Sequence, residues 1–334
     1  VSPANKVLVE ARGLEKSFER RSGVWARQAE PVRAVRGVDL DVREGEIVGL
    51  VGESGSGKST LGRMLIRLID PDAGSLRFDG TDLLALAPTR LRSLRRQFQI
   101  IFQDPYGSLN PRMRVGAAIG EPLAVHRIAT SRGQRREKVA RLLRQVGLDP
   151  AAMDRFPHEF SGGQRQRIGI ARAIACSPRF VVADEPVSAL DPPVQAQIIN
   201  LLLDLQRDLG LAYLLIAHDL RLVEHVCDRV AVMYLGRIVE LASAERLYES
   251  PRHPYTRALL ASTPSLEPGA RTEPAVSGEP ASSTRLPTGC SFHPRCPIAE
   301  AECARNEPGL EEVAEGHQVA CHLAKGETFA EFGA

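Results

Sequence analysis

Residues 52–59, Gly52-Glu53-Ser54-Gly55-Ser56-Gly57-Lys58-Ser59, carry the spacing G-x-x-x-x-G-K-[ST], and Thr60 follows. A loop of this composition does phosphate chemistry. Its glycines let the backbone curl until successive N–H groups and a helix N-terminus surround phosphate oxygens. Lys58 then reaches the β- and γ-phosphates, and Ser59 ligates Mg²⁺. A second constellation is the apolar run Phe180-Val181-Val182-Ala183, which ends in Asp184 and Glu185. An acid at a strand end beside a phosphate loop can hold Mg²⁺ through water, the role assigned to Asp184. Adjacent strand residues face opposite ways, so Glu185 is expected to leave the strand at Pro186 and polarise an attacking water. The third is Cys290-x₅-Cys296-x₆-Cys303-x₁₇-Cys321, crowded near the end of the chain. In a reducing compartment such a set suggests a metal before it suggests disulfides. Cys176 and Cys227 stand alone and are read as packing residues.

These residues need elements to hold them. The phosphate loop follows an apolar strand, Ile47 to Val51, and opens an amphipathic helix, Lys58 to Ile69. Further strands are expected at Phe180 to Ala183, Tyr213 to Ala217 and Val230 to Tyr234. Helices are expected at Gly133 to Val146, Gly162 to Ala175 and Val194 to Leu209. Val7 to Val9, Val38 to Val42 and Ser75 to Phe78 read as an antiparallel β piece. From Gln103 to Phe160 the sequence is helical and polar, which suits an insertion of about 104–165 into an α/β core. Five prolines (264, 268, 274, 280, 287) mark 251–289 as a linker. The domain plan is therefore 5–250, a linker, and a cysteine-rich extension over 290–325.

Composition excludes several classes of function. The 334 residues are 43% hydrophobic, ample for a core, and the net charge of +2 lacks the basic excess of a general nucleic-acid binder. The longest apolar candidate for a membrane span, Leu209 to Ala217, has only the length of a buried strand. The start, Val1 to Leu8, lacks the long apolar segment of a secretory signal. The chain is expected neither to span a membrane nor to cross one.

Ser161-Gly162-Gly163-Gln164, between Phe160 and Arg165-Gln166-Arg167, resembles the signature motif of ATP-binding cassette (ABC) ATPases. Other markers fall in family order: a Q-loop at Gln103, a D-loop at Ser188-Ala189-Leu190-Asp191 and a switch histidine at His218. Ser161 and the glycine amides open a helix whose N-terminus can cap a γ-phosphate. The resemblance implies that this phosphate belongs to ATP held by another subunit. It also implies Gln103 at the Mg²⁺ and His218 at the γ-phosphate. Phe18 matches the aromatic on which adenine stacks, with Trp25 as a competitor. The implied fold is a P-loop NTPase: a RecA-like α/β core, an antiparallel β subdomain and a helical signature subdomain, with a small cysteine-rich extension.

Three segments narrow the resemblance to importers of dipeptides and oligopeptides: Ile101 to Arg112, Phe156 to Arg167, and Arg252-His253-Pro254-Tyr255-Thr256. One departure is Asp191-Pro192-Pro193, where relatives carry a non-proline pair; proline is tolerated in a first helical turn. In such subunits four tail cysteines hold a [4Fe–4S] cluster. Zinc is the alternative, although the spacing is not the paired C-x₂-C of common zinc sites. His293, His317 and His322 lie nearby and are read as solvated rather than as ligands. The resemblance implies a second, paralogous ATP-binding subunit, two transmembrane permease subunits and, indirectly, a solute-binding protein, with no nucleic acid. It implies a place on the cytoplasmic face of the bacterial inner membrane. Nickel, glutathione or other small solutes are alternative cargoes. Soluble ABC ATPases of DNA repair or translation, and a redox- or iron-sensing module, are alternatives of other classes.

Overall fold

A computed structural model describes residues 6–19, 30–262, 284 and 286–324. Twelve strands are present among them: β1 (Val7–Phe18), β2 (Val32–Arg43), β3 (Ile47–Val51), β4 (Ala73–Phe78), β5 (Thr81–Asp82), β6 (Phe98–Ile101), β7 (Phe180–Asp184), β8 (Ala212–Ile216), β9 (Arg229–Tyr234), β10 (Arg237–Ser243), β11 (Glu311–Ala314) and β12 (His317–Val319). The α-helices are α1 (Lys58–Leu65), α2 (Pro88–Leu94), α3 (Pro105–Ser108), α4 (Val115–Val125), α5 (Arg132–Gln145), α6 (Gly162–Ile174), α7 (Pro192–Leu209), α8 (Leu220–Val226), α9 (Ala244–Glu249), α10 (Pro254–Ala261) and α11 (Ala301–Arg305). Among the described residues no helix is long and apolar enough to cross a membrane. The chain divides into two compact units.

The first unit contains 42–46 and 77–216, with the chain start up to Val9. Its centre is a parallel set in the order β8-β7-β6, with Phe98 opposite Phe180 and Val182 opposite Leu214. Every residue of β7 is buried, which explains its continuous apolar run; a strand covered on both faces does not alternate. Between β6 and β7 the chain is helical, as its polar sequence suggests. Helix α6 begins at a capping box in which Gln164 N–H donates to Ser161 Oγ and Ser161 N–H donates to Gln164 Oε1. Helix α7 starts on Pro192 and ends at Gly210, whose φ of 64° is the left-handed form that glycine adopts without strain. Its buried face is Ile198, Ile199, Leu201, Leu202 and Leu205, at helical spacing.

The second unit contains 10–41, 47–76 and everything described from Ala217 onward. One layer is the expected β piece, with β1 between β2 and β4. The other layer runs β3-β9-β10-β12-β11: β3 is parallel to β9, and the later pairs are antiparallel. Two differences from the sequence reading have physical causes. The helix expected to reach Ile69 stops at Leu65, because Arg67 turns left-handed at φ 48° and Pro71 follows closely. Strand β10 and the β11–β12 hairpin were not anticipated: their short, mixed runs gain stability by pairing with β9 and with one another. The expected linker lies mostly outside the described residues, as do Trp25 and Pro264, Pro268, Pro274 and Pro280.

Candidate functional site

In the second unit, β3 delivers the chain into the loop 52–57 and α1 begins at Lys58. Gly57 has φ 106°, and a Cβ there would sit 2.1 Å from the Ala34 carbonyl oxygen, so only glycine fits. The loop is curled around the Lys58 ammonium, which donates to the carbonyls of Gly52 (2.7 Å) and Glu53 (2.9 Å). Lys58 is buried, Ser59 and Thr60 are half-buried in the first turn of α1, and Ser54 and Gly55 are exposed at the loop's crest. The buried Ser56 Oγ has no hydrogen-bond partner among the described residues. Phe18, at the end of β1, leaves 39% of its surface to solvent, which suits a stacking platform. Lys16 Nζ lies 5.8 Å from the Phe18 ring centre. Lys16 also donates to Asp72, and that hydrogen bond holds the Asp72 carboxyl below its usual range. His218 is exposed, one residue before Asp219, which caps α8 by accepting from the Arg221 N–H.

In the first unit two of the catalytic candidates, Gln103 and Glu185, meet. Asp184 closes β7 opposite Ile216 and is buried. Glu185 does leave the strand: its φ is 50°, its N–H donates to the Ile216 carbonyl (3.1 Å), and it is 7% exposed. Gln103 Nε2, just past β6, donates to Glu185 Oε2 at 2.6 Å. The two residues are 82 positions apart, and parallel pairing of β6 with β7 brings their ends level. Ser161, Gly162, Gly163 and Gln164 form the partly exposed N-terminus of the 13-residue α6. Gly163 is required by α7, since a Cβ there would lie 2.5 Å from Val194 Cγ1. Asp191 caps α7 through its backbone carbonyl, which accepts from Val194 and Gln195, so the Pro192-Pro193 pair leaves a regular helix start. Sequence reasoning did not single out Arg165. It is buried, donates to the Pro157 carbonyl (2.7 Å), and carries its guanidinium 3.7 Å from the ring centre of the exposed Tyr106.

The cysteine-rich extension belongs to the second unit. Cys290 N–H donates to the Cys303 carbonyl, and a short turn over His293–Arg295 leads into Cys296. Burial is the main cause pushing the thiols up, Cys296 to about 11 and Cys321 to about 12, and the neighbouring cysteines add to both shifts. Burial raises Cys290 as well. As soft thiolate donors the four cysteines match an iron–sulfur or zinc group in chemistry. In arrangement they do not: among the described residues no group of three or more His, Cys, Asp or Glu side chains could hold a metal ion. Cys176 and Cys227 are buried in packing positions, as expected.

His317 corrects the sequence reading. It is buried rather than solvated, and its Nε2 lies 2.7 Å from Oε1 of Glu240, which is 0% exposed. The Glu240 carboxylate also accepts from the N–H groups of Arg252 (2.6 Å) and His253 (2.9 Å). His322 is exposed, with its Nε2 on the Asn306 carbonyl.

His253 caps α10 with Nδ1, and burial pushes its imidazole down to about 4 against the opposing pull of Glu240. The unfolded chain therefore binds this proton first as pH falls. Stability present above about pH 6.5 drains away toward pH 4, with about 2 kcal/mol expected to go between pH 7 and pH 5. His253→Asn keeps a capping acceptor and should flatten that slope in denaturant titrations. Equal slopes for the two proteins would refute this account.

Comparison with known proteins adds to this geometry. The ABC transporter family matches residues 35–188, and the C-terminal region of oligopeptide/dipeptide transporters matches 239–303. The oligopeptide transport ATP-binding protein AppF of Bacillus subtilis is 49% identical over 95% of this chain and 98% of its own. A Brucella ovis protein named for peptide import and ATP binding is 51% identical over 94% of this chain and 97% of its own. Among solved structures, the dimeric ATP-binding cassette MJ0796 in a post-hydrolysis state with ADP and Pi superposes with a TM-score of 0.63 at 28% identity. It covers 71% of this chain and 99% of that one.

Proposed function

Because the chain belongs to the ATP-binding subunits of ABC transporters, we propose that it hydrolyses ATP to power import of dipeptides or oligopeptides through separate permease subunits. The observation that carries this reading is the glycine loop wrapped on Lys58, in a chain whose C-terminal region matches that of peptide transporters. On this reading Gly52, Ser54, Gly55, Gly57, Lys58 and Thr60 bind the phosphates, and Phe18 stacks on adenine. Ser59, Gln103 and Asp184 hold Mg²⁺, Glu185 activates water, and His218 contacts the γ-phosphate. Ser161 to Gln164 and Asp191 complete the site of a second ATP-binding subunit, a paralogue, and receive its counterpart in return. Catalysis is by positioning and charge stabilisation, as phosphoryl transfer requires. The proposed domain plan is a cassette over 5–250, a linker over 251–289 and an extension over 290–325. The proposed location is the cytoplasmic face of the inner membrane, against two permeases that a solute-binding protein feeds.

The test is reconstitution of the full chain with candidate permease subunits and a second ATP-binding subunit, followed by ATP-dependent uptake of labelled peptide. Uptake of nickel or glutathione in place of peptide would reassign the cargo. For the tail we propose a [4Fe–4S] cluster on Cys290, Cys296, Cys303 and Cys321, with zinc as the alternative; the matching thiolate chemistry supports it. Anaerobically purified protein should contain about four irons per chain and absorb broadly near ~400 nm, and serine at the four positions should abolish both. Zinc without iron would decide for the alternative, and protein with neither metal would end the proposal.

A further inference from the structure

An acidic residue inside a phosphate-binding loop is an electrostatic cost, since it places a negative charge beside the anion that the loop must hold. Glu53 is such a residue. Its carbonyl accepts from Lys58 Nζ at 2.9 Å, so it belongs to the wall of the lysine's cradle. Its N–H donates to Tyr255 Oη at 2.8 Å, which ties the loop to α10. Its carboxylate is taken by a two-pronged guanidinium: Arg295 Nη1 donates to Oε2 and Nη2 to Oε1, both at 3.0 Å.

Arg295 comes from the turn between Cys290 and Cys296, 242 residues away in sequence, and its side chain is only 8% exposed. Nη1 also reaches Tyr234 Oη at 3.3 Å. Beneath it lies an aromatic cluster: Phe292, in the same turn, has its ring centre 5.4 Å from that of Tyr234 and 5.5 Å from that of Tyr255. The guanidinium is therefore held by packing and by geometry. A bidentate pair of this kind, with the guanidinium largely buried and the carboxylate half-buried, neutralises its carboxylate more completely than a mobile surface lysine could.

We infer that Arg295 is a positioning residue for nucleotide: it masks the Glu53 charge from the phosphates and makes the cysteine-bearing turn part of the phosphate loop's support. The inference rests on the proposed reading of residues 52–60 as the ATP site. It assigns the extension a direct route to nucleotide affinity, independent of what the four cysteines hold.

The test compares Arg295→Gln and Glu53→Gln in the full-length chain, by titration with a fluorescent ATP analogue and by the KM and kcat of the assembled ATPase. Arg295→Gln exposes the carboxylate and should raise the ATP Kd about tenfold while leaving kcat at saturating ATP within about twofold. Glu53→Gln removes the charge and leaves the arginine, so its Kd should be unchanged or lower. The double variant should recover to within about threefold of the parent. A bridge that merely holds the tail in place predicts the same sign for both single variants and no recovery in the double. Weaker ATP binding by Glu53→Gln alone would overturn the inference, even if Arg295→Gln does not fold. Should the parent chain bind no ATP, the reading of the loop fails; should it bind and the signs agree, only the masking role fails.

Discussion

Glu185→Gln is expected to lower steady-state phosphate release by about 10²- to 10⁴-fold while ATP still binds. The substitution is nearly isosteric at a crowded position. Glu185 is buried at the end of β7 with its backbone at φ 50°, held by the Ile216 carbonyl, and its carboxylate accepts from Gln103. An amide can keep the contact with Gln103 by presenting its own oxygen, so the local geometry survives. What it cannot do is accept a proton from water. Binding and turnover should therefore separate cleanly, read by nucleotide titration and by phosphate release on the same preparation. Rapid hydrolysis by the variant would remove Glu185 from the role of base.

Glu240→Ala is expected to destabilise the second unit by about 3–5 kcal/mol, seen as a fall in the denaturation midpoint. The carboxylate is wholly buried and accepts from two backbone N–H groups and from His317. Truncation leaves all three donors without the carboxylate that accepts from them. Glu240→Gln keeps an acceptor oxygen and should cost less than half as much. A loss below about 1 kcal/mol for the alanine variant would show that the neighbours re-pair elsewhere. The site lies on β10 where β12 docks, with Glu240 opposite Val319, so the same experiment measures how firmly the extension is attached.

The phosphate loop, the Asp184–Glu185 pair and the helix opening at Ser161 were legible because each is local. Glycine spacing, an apolar run ending in acids, and a capping box lie within a few residues of the atoms they organise. The Gln103–Glu185 contact was half legible: both residues stood out, but the strand pairing that levels β6 with β7 did not. Glu53–Arg295 and Glu240–His317 left no mark in the sequence at all. An arginine between two cysteines and a histidine near a third are ordinary surface residues by composition. Only the packing of Phe292 on Tyr234 and Tyr255, and the pairing of β12 with β10, removes them from water. The cysteine cluster shows the converse: its composition pointed to a metal site, while among the described residues no group of three or more such side chains is placed to hold a metal ion.

The support of the phosphate loop also has a clock. Glu53 leaves the ribosome 242 residues before Arg295, an interval of roughly 12 to 50 s at typical rates of synthesis. Through that interval the nascent loop carries its carboxylate without the guanidinium that neutralises it. On the proposed reading, a nascent chain that has Glu53 but not yet Arg295 discriminates against nucleotide, and full affinity arrives only once the turn bearing Arg295 has been made and docked on the loop.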